Sequence, residues 1–199
     1  LKVLHKGDFL FLTGRPFQGL IAIKSGMGKL IFQDEHGQEH ILAVLLPGEL
    51  IGFDALSHYT HYCSAVALDT LSYCELPARE MTRICTKIPA LFQEMLRHAS
   101  EAMDCQRQQL LSIKKPASQR LAAFLLDLSK RFEARGFAKY EFSLGLSRQE
   151  LGNHLDLALA TVSGTLKQFE KAGWIELRSK WVRIHDPTAL EKLLAEPNA

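Results

Sequence analysis

The 199-residue sequence lacks the features that mark membrane, secreted and repetitive proteins. It contains no apolar run of about 18 residues, the length that a transmembrane helix needs, and no signal-peptide pattern. Low-complexity tracts and internal repeats are also missing. We therefore expect a globular protein of the cytoplasm with no membrane partner. The chain begins at Leu1 rather than at a methionine, so these expectations are conditional on what preceded it.

Signatures of catalysis are missing as well. The sequence contains no nucleophile–base pair, no phosphate-binding loop and no metalloprotease motif. We expect the protein not to be an enzyme.

Cysteine is scarce, and its spacing does not fit a zinc site. The four cysteines are Cys63, Cys74, Cys85 and Cys105. The sequence has no CxxC pair, and so few cysteines without a secretion signal indicate free thiols in a reducing compartment. His58 and His61 form an HxxH pattern near Cys63. Metal binding there is one interpretation, and an ordinary polar loop is the one that we favour.

Charge is unevenly distributed along the chain, although the net charge is only +2. Residues 1–113 carry 10 basic against 12 acidic side chains, whereas residues 114–199 carry 14 against 10. The basic excess of the C-terminal part suits a partner with a phosphate backbone. An ordinary solvated surface explains it equally well.

Short β-type runs separated by glycine-containing turns fill the first part of the chain. The runs are Phe9–Leu12, Leu20–Ile23, Lys29–Phe32, Ile41–Leu46 and Leu71–Leu76. Short strands at regular intervals are typical of an antiparallel β-roll or jelly roll. We assign residues 1–78 to this domain and expect it to sense a signal.

A long helical segment is predicted over residues 79–113, with a break near Pro89. Seven of its residues follow one another at alternating spacings of four and three: Phe92, Leu96, Ala99, Met103, Gln106, Leu110 and Ile113. This heptad seam predicts a parallel homodimer. The alternative is a helix packed against its own β-domain. We favour the dimer because the stripe is narrow and contains Gln106, and a lone polar residue in a seam fixes register.

Residues 114–199 carry the pattern of a winged helix-turn-helix. The predicted elements are a hinge at Lys114-Lys115-Pro116, a helix over Ala117–Arg135, a strand over Tyr140–Leu144, the helix-turn-helix over residues 146–175, and two wing strands at Ile175–Leu177 and Trp181–Ile184. The fold class is therefore α+β, with an N-terminal β-roll, a long dimerisation helix and a C-terminal winged helix-turn-helix.

The helix-turn-helix has clear boundary signals. Ser147 and Glu150 have the spacing of a capping box, which predicts the start of the first helix. The first helix breaks at Asp156, and a second amphipathic helix runs from about Leu159 until Gly173 stops it. Small polar residues at the start of such a second helix are typical of a motif that enters the DNA major groove.

A β-roll, a long helix and a winged helix-turn-helix in this order resemble the CRP/FNR family of bacterial transcription regulators. The segments that carry the resemblance are LHKGDFLFLTG, IAIKSGMGKL, PGELIGFDAL, KKPASQRLAAFLLDLSKRF and LSRQELGNHL. The resemblance covers essentially the whole chain and is closer to the FNR branch than to the cyclic-AMP branch. It implies a dimeric regulator that responds to oxygen or redox state, with double-stranded DNA and RNA polymerase as partners.

The resemblance also implies cofactors. In the cyclic-AMP branch an arginine before Ser-Ala anchors the cyclic phosphate, but the matching residues here are Cys63-Ser64-Ala65, so cyclic AMP is disfavoured. The FNR branch implies a [4Fe-4S] cluster with four thiolate ligands, one of which matches Cys74. The other three lie in an upstream segment that this chain lacks, so we expect no cluster in the chain as it stands. Cys74 is then a ligand only in a longer form, or simply a buried strand thiol.

The resemblance further implies that the second helix carries a Glu-x-x-Ser-Arg pattern whose glutamate and arginine read bases. Here Ala160 and Gly164 replace these two readers, and Ser163 is retained. Either the protein reads a different or degenerate site, or it keeps the fold as a sensor or interaction protein with weakened DNA specificity. The residues that we expect to contact bases or phosphates are Ser147, Arg148, Thr161, Ser163, Thr165, Lys167, Arg178 and Lys180.

Overall fold

The computed structural model describes residues 1–197, and the chain divides into two compact units. The first unit comprises residues 1–108, and the second begins at Gln109. The sequence placed the corresponding boundary at Lys114. None of the helices within residues 1–197 is long and apolar enough to cross a membrane.

The first unit contains the predicted β-roll, made of two four-stranded antiparallel sheets within residues 1–77. One sheet has the order β1-β8-β3-β6 and the other the order β2-β7-β4-β5. The strands are β1 (Lys2–Leu4), β2 (Phe9–Phe11), β3 (Gly19–Ser25), β4 (Gly28–Gln33), β5 (Glu39–Leu45), β6 (Leu50–Ile51), β7 (Ser64–Ala67) and β8 (Leu71–Pro77). Buried side chains of both sheets, such as Ile23, Leu45 and Leu71, form one core between them. The five predicted runs correspond to β2, β3, β4, β5 and β8.

Two helices follow the β-roll, α1 (Ala78–Lys87) and α2 (Pro89–Ser112). The predicted break is present, because Ile88 leaves the helical conformation and Pro89 opens α2. Leu91 and Met95 on the first turns of α2 pack against the core around Leu20. In its first turns, α2 therefore packs against the first unit with the face that carries Leu91 and Met95.

The second unit contains the predicted helix-turn-helix. Its elements are α3 (Ala117–Glu133), β9 (Glu141–Ser143), α4 (Arg148–Leu155), α5 (Leu159–Lys171), β10 (Ile175–Arg178), β11 (Trp181–Ile184) and α6 (Pro187–Ala195). Buried side chains of α3, α5 and β11, including Leu125, Leu166 and Val182, form its core.

Two details of the second unit differ from the sequence expectation. The wing was expected to have two strands, but Phe142 of β9 pairs with Val182 of β11, so a three-stranded sheet with the order β10-β11-β9 forms in the described part of this unit. The helix α6 was not predicted. It begins where the carboxylate of Asp186 accepts a hydrogen bond from the Ala189 amide, with Pro187 in the first helical turn.

Candidate nucleic-acid interface

The first helix of the motif, α4, begins at the predicted capping box. The hydroxyl oxygen of Ser147 accepts from the Glu150 amide at 3.2 Å, and the Glu150 carboxylate accepts from the Ser147 amide at 2.8 Å. Two amides that a helix start would leave unpaired are thereby bonded. Ser147 uses its oxygen as an acceptor in the cap, so its hydroxyl proton stays available for a phosphate oxygen. Arg148, the first residue of the helix, is exposed.

The turn between α4 and α5 depends on a close approach of two backbone segments. Asp156 has the left-handed conformation that the predicted break required, with φ 54° and ψ 52°. The Leu157 amide donates to the Gly152 carbonyl at 2.8 Å. A Cβ atom on Gly152 would lie 2.6 Å from the Leu157 carbonyl oxygen, which is too close for any side chain. This role of Gly152 was not predicted from the sequence, although a glycine inside a predicted helix is a signal for close packing.

The second helix, α5, buries one face and leaves the other open. Val162, Leu166 and Phe169 face the core of the unit. The exposed residues are Leu159, Ala160, Thr161, Gly164, Lys167, Gln168 and Lys171. The predicted contacts Thr161 and Lys167 lie on this open face, and Ser163 is half-buried at its edge. Leu159, Gln168 and Lys171 were not among the predicted contacts.

One predicted DNA contact on α5 is wrong. Thr165 is only 8 % exposed, because it lies three residues after Val162 and four before Phe169, on the face that packs into the core. A side chain in that position cannot reach a base edge. Thr165 is therefore a core residue of the motif.

The two positions where family readers are replaced both lie on the open face of α5. Ala160 has only a methyl group, and a Cβ on Gly164 would meet nothing within 4 Å. The surface is therefore open at both positions, with no donor or acceptor side chain to contact a base. The exposed ammonium groups of Lys167 and Lys171 lie further along the same helix, where they suit phosphate contacts.

The two predicted wing contacts, Arg178 and Lys180, already form bonds with other residues of the second unit. Arg178 is exposed, but its guanidinium donates to the Glu176 carboxylate, and this bond lowers the pKa of the Glu176 carboxyl. Lys180 is half-buried and its Nζ donates to the Gly145 carbonyl at 2.7 Å. Lys180 would have to exchange this bond for one to a phosphate.

The predicted seam of α2 forms an exposed apolar stripe. Exposure is 50 % for Phe92, 56 % for Leu96, 62 % for Met103 and 70 % for Leu110. The neighbouring Ala99 is half-buried and Gln106 is exposed. Ile113 is also exposed, but it follows the last residue of α2, so the helical part of the seam ends at Leu110.

The loop around Cys63 is organised by one carboxylate. Asp54 accepts from the Tyr62 amide at 2.9 Å, and its oxygens lie 3.3 Å from His61 Nδ1 and 3.6 Å from Cys63 Sγ. Burial, and then the charge of Asp54, raise the pKa of the Cys63 thiol to about 12. A neutral buried thiol therefore stands where the cyclic-AMP branch has its arginine. His61 is buried in this network and stacks on the Phe11 ring with the centroids 3.9 Å apart, whereas His58 is exposed.

The cysteines do not fit an iron–sulfur cluster. Cys74 is half-buried on β8, Cys63 is protonated in its loop, and the Cys85 thiol contacts the Met95 sulfur at 3.6 Å. Cys105 lies on α2. Among residues 1–197, no group of three histidine, cysteine, aspartate or glutamate side chains could hold a metal ion. A [4Fe-4S] cluster needs four convergent thiolates, which these residues do not supply.

Comparison with known proteins agrees with both units. Residues 1–87 match the family model of a cyclic nucleotide-binding domain, and residues 119–193 match that of a Crp-like helix-turn-helix domain. The chain is 40 % identical over 188 residues to the transcriptional activator protein anr of Pseudomonas aeruginosa, which covers 94 % of this chain and 77 % of that protein. It is 39 % identical over 193 residues to the anaerobic regulatory protein of Haemophilus influenzae, covering 96 % and 75 %. The solved structure of FixK2 from Bradyrhizobium japonicum superposes with a TM-score of 0.86 at 20 % identity, over 98 % of this chain and 97 % of that one.

Proposed function

The chain belongs to the CRP/FNR family of DNA-binding transcription regulators, and we propose that it works as a homodimer in which α5 of each protomer faces the DNA major groove. The observation that carries this proposal is the open face of α5, held in place by an intact capping box and turn. Dimerisation would place two recognition helices about one turn of DNA apart.

The dimer contact of this proposal is the exposed stripe of α2. One face of α2, which carries Leu91 and Met95, already packs against the core of the first unit. Phe92, Leu96 and Met103 lie on another face and are at least half exposed. Apolar side chains at heptad spacing lose their contact with water when two such helices pair. The alternative, in which the seam packs on its own β-domain, does not agree with these exposures.

The binding mode of this proposal depends mainly on the phosphate backbone. Arg148, Lys167, Lys171 and Arg178 are exposed cations of the second unit. Contacts of this kind position a protein on DNA but carry no sequence information. Each missing bidentate reader typically removes about 1–3 kcal/mol of base discrimination. We therefore propose weakened or altered sequence preference with retained, salt-dependent affinity.

Fluorescence anisotropy tests this binding mode. The probes are a palindromic TTGAT–ATCAA duplex with a four-base-pair spacer and a scrambled duplex, each titrated across a salt series. The variant is the double substitution Ala160→Glu, Gly164→Arg, which restores both reader types without changing the net charge. We expect the natural chain to bind both duplexes similarly, and the double variant to prefer the palindrome by at least about tenfold.

Two outcomes would contradict this proposal in different ways. If the natural chain prefers the palindrome, the two missing readers are dispensable and the specificity is not weakened. If neither protein binds any duplex at low salt, the chain has kept the fold without the DNA function. If the natural chain binds DNA tightly without preferring the palindrome, its preferred sequence is then sought by selection from a pool of random duplexes.

The proposals for the signal and the partners of this chain come from its relatives. One relative is an anaerobic regulatory protein and another a transcriptional activator, so we propose oxygen or redox state as the signal, RNA polymerase as a partner and the cytoplasm as the location. The cysteines of residues 1–197 do not supply a cluster site, so the visible absorbance of a cluster should not develop when this chain is incubated anaerobically with iron and sulfide. Stable cluster absorbance that the Cys74→Ser variant lacks would contradict that expectation.

A further inference from the structure

Two segments of the second unit meet at the guanidinium of Arg120, which lies in the first turn of α3. Its Nε donates to the Lys115 carbonyl at 2.9 Å, and Nη2 donates to the carbonyl of Ile113. Nη1 donates to the carbonyls of Leu155 at 3.0 Å and Asp156 at 3.2 Å. The first pair of carbonyls follows the end of α2, and the second pair lies at the end of α4.

A second contact joins the same two helices. The Gln109 amide nitrogen on the last turns of α2 lies 3.3 Å from Nε2 of His154 on the last turn of α4. The imidazole of His154 also meets the ring of Phe124 on α3 edge-on, with the centroids 5.5 Å apart. Gln109 and Arg120 thus both connect the end of α4 to the region where α2 ends.

The chemistry of helix ends explains why arginine occupies this position. The last carbonyls of a helix have no partner within the helix, and a cation near them is favourable. A guanidinium is a flat fork with donors in several fixed directions, so one side chain bonds the end of α4 and the segment that follows α2 at once. The compact ammonium of a lysine at position 120 would reach one of these two sites but not both.

We infer that Arg120 is a positioning residue that fixes the helix-turn-helix to the end of α2 and thereby sets the spacing of DNA half-sites that a dimer accepts. This inference rests on the proposed dimeric DNA-binding function. If α4 is held to the end of the dimerisation helix, α5 keeps a fixed distance from its counterpart in the partner protomer. Loss of the Arg120 bonds would let each motif move, so the preference for one half-site spacing would weaken.

The test compares spacing preference and backbone protection. The variants are Arg120→Lys and, as a second substitution, Arg120→Gln, each in the natural chain and in the Ala160→Glu, Gly164→Arg background. The matched control is Arg131→Lys on the same helix, where Arg131 bonds the exposed carboxylate of Asp127 at 3.2 Å. Anisotropy is measured with the palindrome at spacers of three, four and five base pairs. Hydrogen exchange of residues 155–159 is measured without DNA, and sedimentation reports the oligomeric state.

We expect both Arg120 variants to remain folded and to sediment as the unmodified chain does. In the Ala160→Glu, Gly164→Arg background, which is expected to recognise the half-sites, binding to the four-base-pair spacer should weaken on the order of tenfold. Binding to the other two spacings should change little, so the spacing preference flattens. Exchange in the turn should accelerate, and Arg131→Lys should change neither property. An equal loss at all three spacings, or an unchanged turn, would overturn the inference. If the unmodified chain binds no duplex, the proposed function fails, and the exchange measurement alone decides whether Arg120 holds the turn.

Discussion

The same substitution, glycine to alanine, should have opposite effects at two positions of the helix-turn-helix. Gly152 and Gly164 both lie inside helices, α4 and α5 respectively. At Gly164 an added Cβ meets nothing within 4 Å, whereas at Gly152 it would lie 2.6 Å from the Leu157 carbonyl oxygen. The pair therefore separates helix propensity from close packing within one motif.

The magnitudes follow from these distances. Alanine is favoured over glycine inside a helix by about 1 kcal/mol, so Gly164→Ala should stabilise the unit by about that amount. At Gly152 the same gain is opposed by the overlap, which forces the backbone of Leu157 away. Overpacking of this kind typically costs about 1–3 kcal/mol, and weakening of the bond between the Leu157 amide and the Gly152 carbonyl costs about 1 kcal/mol more. We expect a net destabilisation of about 2 kcal/mol.

Urea unfolding followed by tryptophan fluorescence measures both effects in the full chain. The two tryptophans, Trp174 and Trp181, lie in the second unit, so the signal reports this unit. With an m-value of about 1–3 kcal/mol/M, Gly152→Ala should lower the midpoint by about 1 M, and Gly164→Ala should raise it by about half as much. A Gly152→Ala chain as stable as the unmodified one would show that the turn does not depend on this close approach, and the argument for Gly152 would be wrong.

Three further outcomes are expected. Leu96→Glu should shift the chain to monomer in sedimentation at micromolar concentration, because each protomer would bury a charge in the seam. The control Gln93→Glu, on an exposed part of α2, should not change the oligomeric state, and a dimer that survives Leu96→Glu would refute the seam. The raised pKa of the Cys63 thiol leaves about a thousandfold less thiolate than an ordinary thiol has near pH 8, so Cys74 should be alkylated first, and equal alkylation of both would contradict this expectation. The free energy of unfolding should fall as the pH rises from about 9 to 12, because the Cys63 thiol ionises in that range only in the unfolded chain. Asp156→Gly should raise the unfolding free energy by about 0.5–1 kcal/mol by relieving the left-handed conformation, and a loss of stability would indicate that the aspartate side chain supports the turn.

The parts of the fold that were predictable from sequence are those with local causes. The capping box of Ser147 and Glu150 and the break at Asp156 need only neighbouring residues, and the structure has both at the predicted positions. Five strands of the β-roll were visible as apolar stretches between turn residues. The strands β1, β6 and β7 were not predicted, because they depend on pairing with strands distant in sequence, β1 with β8, β6 with β3 and β7 with β4.

The site was less predictable, because its details depend on contacts between distant residues. Thr165 was assigned to DNA from its position in the second helix, but the side of that helix which is buried is fixed by the packing of the whole unit. The bond from Lys180 to Gly145 and the bonds from Arg120 to Leu155 and Asp156 join residues that are far apart in sequence. No local pattern signals such pairs, so only the structure assigns these side chains.

The contacts that position α5 are all formed, whereas its open face has no hydrogen-bonding side chain at Ala160 or Gly164. Three features position α5, and all of them are present: the cap of α4, the close approach at Gly152 and the hydrogen bonds of Arg120. At Ala160 and Gly164, however, the open face has no group that discriminates bases. Base identity contributes to binding through side chains on that face, whereas charge and half-site spacing contribute through the scaffold. A chain with this open face should therefore lose sequence preference and keep the salt dependence of its binding, so the salt dependence is the property that tests its DNA function.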